Sequence, residues 1–474
     1  MTLSQQLVAR WKALPAGAIP HAVKEAAKLH LLDSIGVGLA AAATDAGQPY
    51  LAAVAALNGN GGAASVFASG NGFAPATAAL ANGGMIHALE YDDTHTASIV
   101  HGSSVLTATA LATAEGLSAS GESLLTAYIK GWETLIRVGL AAPGKFQAQG
   151  FQITSVAGAL AAALVACDLS RIDDARKGDA LGIALSQASG VFEFLTNGST
   201  VKSLHAGWAA HAGIVASTMA GAGLTGPETA FEGQFGLFRR FAMDPGAVDR
   251  FAAEIATFGG EWHLPEAAFK FYPCCHYIHP FIEALEIALA QNPDEPVEAI
   301  VCEVPPGAAP LISDPWERKL KPRSGHDARY SLPIALATRL VEGAVTPMTF
   351  ANMPNLKIMD KAECISARPM TNADFPQRFE ARLQVRFAKG NVVEVYVDDV
   401  FGGSRRPPSR ETVLTKFRAN AGLIGQADDV CSLEAAVLAI DHKRIDEVTR
   451  LLRRVRRGFP QYAAMRGGDE CLIL

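Results

Sequence analysis

The sequence predicts a mainly α fold. A large all-helical domain spans 1–265, a smaller α+β lid domain spans 266–405, and C-terminal helices (406–474) return to the helical domain. Three observations predict this. Alanine- and leucine-rich segments at helical spacing fill the first 260 residues or so. Near Pro265 the character changes, and residues 379–387 and 392–397 flank Ala388-Lys389-Gly390-Asn391 as a β-hairpin does. After Arg405-Arg406-Pro407-Pro408 helical spacing resumes, with Ile445, Val448, Leu451 and Leu452 on one stripe.

In chain order, residues 3–45 read as two helices separated near Pro15 and Pro20. In the second, Val23, Ala26, Ala27, Leu31 and Ile35 recur at helical spacing, and Gly36 and Gly38 suit close packing. A helix over 47–57, a turn at 59–62 and a short extended piece at 64–67 follow, and Pro75 opens the next helix. Further helices are expected at 104–119, 122–141, 153–168, 173–190 and 203–220, their small residues permitting close helix contact. In the lid, 297–304 reads as a strand, and 278–291 and 327–341 as helices.

The chain of 474 residues is 49% apolar and 19% charged, which suits a folded protein of more than one domain and argues against disorder. A net charge of −6 supplies no broad basic field, so nucleic acid is not an expected partner. Seven scattered cysteines form no disulfide framework, no signal peptide is evident and the longest apolar run is too short to span a bilayer; a cytoplasmic protein without a membrane partner is expected. Gly221-Ala222-Gly223-Leu224-Thr225-Gly226 matches a dinucleotide-binding pattern but follows a helix, not a strand. Cys274-Cys275-His276 with His279 lacks the paired spacing of a zinc site.

Three stretches carry candidate chemistry. Residues 85–102 bring three histidines and three carboxylates into an otherwise Ala-, Gly- and Leu-rich region, where ionisable groups are costly unless paired. Asp92, Asp93 and Thr94 equally suit helix caps, and His87 and His95 equally suit satisfied core groups. Glu90 and Thr94 are spaced to share a helix face, and His101-Gly102 suits a cleft loop. In 197–208, Ser199 or Thr200 is a candidate N-cap that places Lys202 in the first helical turn, a seat for a carboxylate. In 270–280, the histidines and Tyr272 lie at the junction of the two domains, where they can bind carboxylates or move protons.

Together these stretches resemble the MmgE/PrpD superfamily, which includes 2-methylcitrate dehydratase, cis-aconitate decarboxylase and iminodisuccinate epimerase. The matching pieces are 87–95 with His101-Gly102, 178–184, 202–207 and 272–280. The resemblance implies an enzyme that uses no metal and no cofactor, is usually a homodimer, and has its site between the helical and lid domains. It implies that Thr94, His101, Lys202 and His279 match active-site residues of the decarboxylase branch, with Glu90 where that branch has an aspartate and Ile334 where it has a tyrosine. The expected activity is a lyase reaction on a small anionic di- or tricarboxylate, dehydratase-like, by proton transfer next to a carboxylate. Epimerisation of an amino- or imino-dicarboxylate and cis-aconitate decarboxylase-like chemistry are the alternatives, with a catalytically silent carboxylate-binding protein as the non-enzyme reading. His101, Lys202 and His279 are the expected catalytic residues. Glu90, Thr94, Asp93 and Tyr272 are the expected substrate-binding residues, and no metal ligands are expected.

Overall fold

The computed structural model describes residues 1–57 and 61–456. Part of the turn expected at 59–62, and the chain beyond 456, lie outside the described residues.

Four helices form the centre: Pro75–His87, Gly102–Gly116, Ile153–Leu169 and Lys202–Gly221 pack against one another. Almost every residue of Gly102–Gly116 and Ile153–Leu169 is buried. Helices apolar or small all round can sit only inside a layer of other helices. That layer is supplied by Leu3–Ala13, His21–Ala42, Gly121–Ala141 and Asp174–Gln187. Small residues set how closely the central pair approaches. A Cβ on Gly207 would fall 2.1 Å from the backbone oxygen of Leu80, and one on Gly83 would fall 2.8 Å from the Cα of Gly207. The helices therefore cross in backbone contact, which only glycine permits here. This crossing sets the N-terminus of Lys202–Gly221 near the C-terminus of Pro75–His87.

A second, separate apolar core gathers residues from Cys274 to Val397. It is built on a four-stranded sheet in the order Ile365–Pro369, Val297–Val304, Ala381–Phe387, Val392–Val397. The first pair is parallel and the others antiparallel. Ala381–Phe387 alternates buried and exposed residues, as a strand with one covered face does. His279–Gln291 packs across this strand and Val392–Val397. The C-terminal helices Arg410–Ala421, Ala427–Leu438 and Ile445–Arg454 place Phe417, Leu433 and Val448 in the first core.

Two expectations are corrected. The helix expected at 327–341 is two helices, Gly325–Ala328 and Leu332–Glu342. Ser331 caps the second, its hydroxyl accepting from the Ile334 amide at 3.2 Å, so Arg329 and Tyr330 lie in the break. The strand Ile365–Pro369 was not expected; it is short, and three of its five residues are exposed, so it carries little hydrophobic pattern.

Candidate active site

The Pro75–His87 helix ends before the acidic cluster, so Glu90 and Thr94 do not share a helix face. Glu90 instead takes a left-handed backbone conformation (φ 54°), uncommon for a side-chain-bearing residue. Thr94 exchanges two backbone hydrogen bonds with Ala268, of 2.9 and 2.8 Å, which pins the segment to the chain entering the second core. Ser199 and Thr200 do not cap through their side chains. The Thr200 carbonyl accepts from both the amide and the hydroxyl of Ser203, and Lys202 opens the helix.

These local turns bring two groups together. In the first, Lys202 Nζ donates to Glu90 Oε1 at 2.5 Å and to the Tyr330 hydroxyl at 3.0 Å. Lys270 Nζ lies 3.9 Å from Glu90 Oε2. The seat expected for a carboxylate at Lys202 thus holds the carboxylate of Glu90. Burial alone would raise the Glu90 pKa, but Lys202 and Lys270 outweigh it and hold it well below the ordinary carboxylate range. Burial and the neighbouring Glu90 push the Tyr330 phenol well above its usual value, so it keeps its proton.

In the second group, His101 sits just before the Gly102–Gly116 helix, with Nδ1 2.9 Å from Thr94 Oγ1 and 3.1 Å from the backbone oxygen of Asp93. A carbonyl can only accept, so this contact places the proton on Nδ1 and leaves a lone pair on Nε2. Burial, with Lys270 beside it, holds the His101 pKa well below its ordinary value. His87 lies alongside, ring centroids 4.9 Å apart. Its Nδ1 is 2.7 Å from Asp92 Oδ2, and its Nε2 is 3.0 Å from the Gln152 amide nitrogen. The Gln152 oxygen in turn accepts from His205 Nδ1 at 2.6 Å. Asp92 Oδ2 also stands 4.0 Å from His101 Nδ1, placed to favour an imidazolium.

His87, Asp92 and His101 are the one trio among the described residues whose potential metal-ligand atoms all lie within 4.8 Å of one another. Both nitrogens of His87 are already engaged, by Asp92 and Gln152. The Cys274–His279 stretch forms no such cluster among the described residues, and the six described cysteines are free thiols.

Glu90, Thr94, His101 and Lys202 therefore fall in two groups that act on each other electrostatically, and Lys270 acts on His279 as it does on His101, whereas Asp93 does not join them. Asp93 points the other way. It bonds His30 Nδ1 at 2.8 Å and accepts from the amide and hydroxyl of Ser103, so both its oxygens are used within the helical core. Tyr272 donates to Glu286 at 2.8 Å, and His279 Nε2 lies 3.3 Å from the Cys274 carbonyl. Both line a cavity of about 450 Å³ with Phe271, Phe401 and Arg406, sharing no hydrogen bond or ion pair with the Lys202 group among the described residues. Ile334 is fully buried in the second core; the phenol beside Lys202 belongs to Tyr330. Lys270, Tyr330 and Gln152 are site members that sequence reasoning did not single out, and Asp92 was read there only as one of the clustered carboxylates or a helix cap. For Lys270 the available signal was position alone, inside a stretch already marked.

Burial leaves a pH signature. It depresses the His279 pKa to about 3, helped by Lys270. Below the ordinary value of 6.5 the unfolded chain then binds a proton that the folded protein refuses, so this stabilisation is present above pH 6.5 and is lost as pH falls. At pH 5 the loss from His279 is about 2 kcal/mol. Because other buried histidines are depressed as well, denaturant melts at pH 7 and pH 5 are expected to show a larger total loss in the wild type, and one smaller by about this amount in His279→Gln.

No helix among the described residues is long and apolar enough to cross a membrane. The model of the MmgE/PrpD N-terminal domain matches residues 5–248, and that of the MmgE/PrpD C-terminal domain matches 272–442. The chain is 27% identical over 468 residues to a cis-aconitate decarboxylase of Aspergillus terreus, covering 94% of each protein. It is 27% identical to a cis-aconitate decarboxylase-like protein, oryM, of Aspergillus oryzae, over 89% of this chain and 91% of that one. With the human cis-aconitate decarboxylase it shares 29% identity, covering 76% of this chain and 75% of the human one. Matched by both family domains over most of its length, the chain belongs to the MmgE/PrpD family.

Proposed function

We propose that this protein is a lyase acting on a small di- or tricarboxylate, with decarboxylation as its first chemistry. The carrying observation is the buried Lys202–Glu90–Tyr330 group, with Lys270 adding a second cation, in electrostatic contact with His101. Cations in a water-poor site favour a polyanion, and they stabilise charge that moves onto the carbon skeleton when a carboxylate leaves as carbon dioxide. The electron pair of the broken C–C bond must then be protonated. Tyr330 and Lys202 carry protons, and His101, once a bound polyanion and Asp92 favour its imidazolium, carries a third. The decarboxylase names of the relatives support this order of preference. They lend no support to the epimerase reading.

Dehydration is the second reading. The free Nε2 lone pair of His101 favours it, since such a nitrogen can remove a proton next to a carboxylate. In both readings the chemistry runs on side chains without a metal, consistent with the engagement of both His87 nitrogens.

A panel of unsaturated and hydroxylated polycarboxylates, assayed for carbon dioxide and for alkene after exhaustive chelation, tests the proposal. Carbon dioxide release from an unsaturated tricarboxylate, undiminished by the chelator, is expected. Alkene formation from a hydroxy acid without carbon dioxide would move the assignment to dehydratase. Activity restored only by added metal would contradict the metal-free account, and no turnover on the whole panel would overturn the lyase proposal.

A further inference from the structure

Arg329 lies in the break between two helices of the second core and is 2% exposed. Its backbone is fixed, the carbonyl accepting from the Cys275 amide at 2.9 Å. One arm of the guanidinium, Nη1, donates to the backbone oxygen of Ala88, two residues before Glu90, at 2.9 Å. The other edge, Nε with Nη2, is buried and makes no hydrogen bond. Buried donors are nearly always paired, and a charged group costs more to leave bare than a neutral one. The unpaired atoms are not scattered. The Nε–H and the adjacent Nη2–H run parallel, and this edge matches the two oxygens of one carboxylate. The side chain stands beside the Lys202 group: Nη1 holds the segment that carries Glu90, and Glu90 and Tyr330 are the titratable groups that act most strongly on Arg329.

We propose that Arg329 determines substrate class by taking one carboxylate of the substrate on its Nε–Nη2 edge, while Lys202 and Lys270 face another. The proposal rests on the polycarboxylate reading above and sharpens it. One carboxylate is insufficient: the substrate must carry two whose separation spans the Lys202 side and the Arg329 side. The bond to Ala88 gives the same side chain a mechanical role, because it joins the second core to the segment that carries Glu90. The structural role alone would leave the Nε–Nη2 edge unexplained.

Binding of three probes separates the two roles: tricarballylate, glutarate and butyrate, which carry three, two and one carboxylates on related chains. Calorimetry is run on wild type, Arg329→Lys and Arg329→Gln. The lysine variant keeps the charge and can still reach Ala88, but it lacks the fork, so it serves if the glutamine variant does not fold. In the wild type the polycarboxylates are expected to bind tighter than butyrate. In either variant this preference is expected to shrink roughly 10- to 100-fold, with butyrate binding little changed, as the loss of a charge-assisted bidentate contact should give. A variant that weakens all three probes by one common factor, or keeps the wild-type preference, overturns the assignment and leaves Arg329 a strut. Absence of any polycarboxylate binding by the wild type would instead overturn the reading on which it rests.

Discussion

Replacing His101 with asparagine is expected to lower kcat by about 10²–10⁴-fold, the range that a positioned acid–base group supplies. KM is expected to change only a few-fold, because Lys202, Lys270 and Arg329 hold the carboxylates in this account. Asparagine is chosen because its amide can still donate to the Asp93 carbonyl and meet Thr94, the two contacts that orient the imidazole. The fold should survive, since the backbone tie from the His101 amide to Thr154 is untouched. Steady-state kinetics with a melting curve checks both halves. A kcat within tenfold of wild type would remove His101 from proton transfer and pass that role to Tyr330 and Lys202.

Lys416→Met is expected to cost about 3–5 kcal/mol of stability, the usual consequence of removing one partner of a buried ion pair. Lys416 donates to Asp33 at 2.9 Å and to the Tyr91 carbonyl at 3.0 Å, and its ammonium stands 4.0 Å over the Tyr91 ring. Lys416 and Asp33 are both inside the protein. Burial drives the Asp33 carboxyl up to about 6 even with Lys416 beside it, so removing the lysine leaves a charge that the site tolerates poorly. The double variant Lys416→Met with Asp33→Leu removes both charges and is expected to recover much of the loss. Urea titrations of the two single variants and the double variant give the coupling directly; a loss under 1 kcal/mol in Lys416→Met would contradict the account. Because Tyr91 adjoins Glu90, the single variant should also raise KM by disturbing the site segment.

Much of this molecule is legible in its sequence, and the illegible parts have physical causes. The long helices are readable because helical spacing and alanine content agree, as in Ile153–Leu169. The hairpin is readable from its alternation and turn. His101 and Lys202 stand out as polar residues at the ends of apolar helices. The side chains of a loop are another matter. Asp92 and Asp93 are neighbours of identical chemistry, yet one faces His87 and the other faces His30 and Ser103. Nothing in the local sequence dictates which way each turns; the packing of distant helices does. Arg329 and Tyr330 are hidden for a different reason. The apolar spacing of 327–341 continues through them, and the helix is broken there by the Ser331 cap together with Pro333 in the first turn that follows. His279 and Tyr272 lie in the right segment, but their hydrogen bonds go to Cys274 and Glu286, and they line a cavity with Phe271, Phe401 and Arg406.

The central claim is that this buried cluster moves a proton at a carbon next to a substrate carboxylate. Turnover in deuterated water, followed by NMR of the product, tests it most directly. One deuterium is expected per product molecule, on the carbon that takes up the electron pair of the broken C–C bond, which in an unsaturated substrate is either end of the allylic system, with one carbon dioxide per deuterium and loss of both in His101→Asn. Product formed with no deuterium, or labelled product formed at the wild-type rate by the variant, would contradict it.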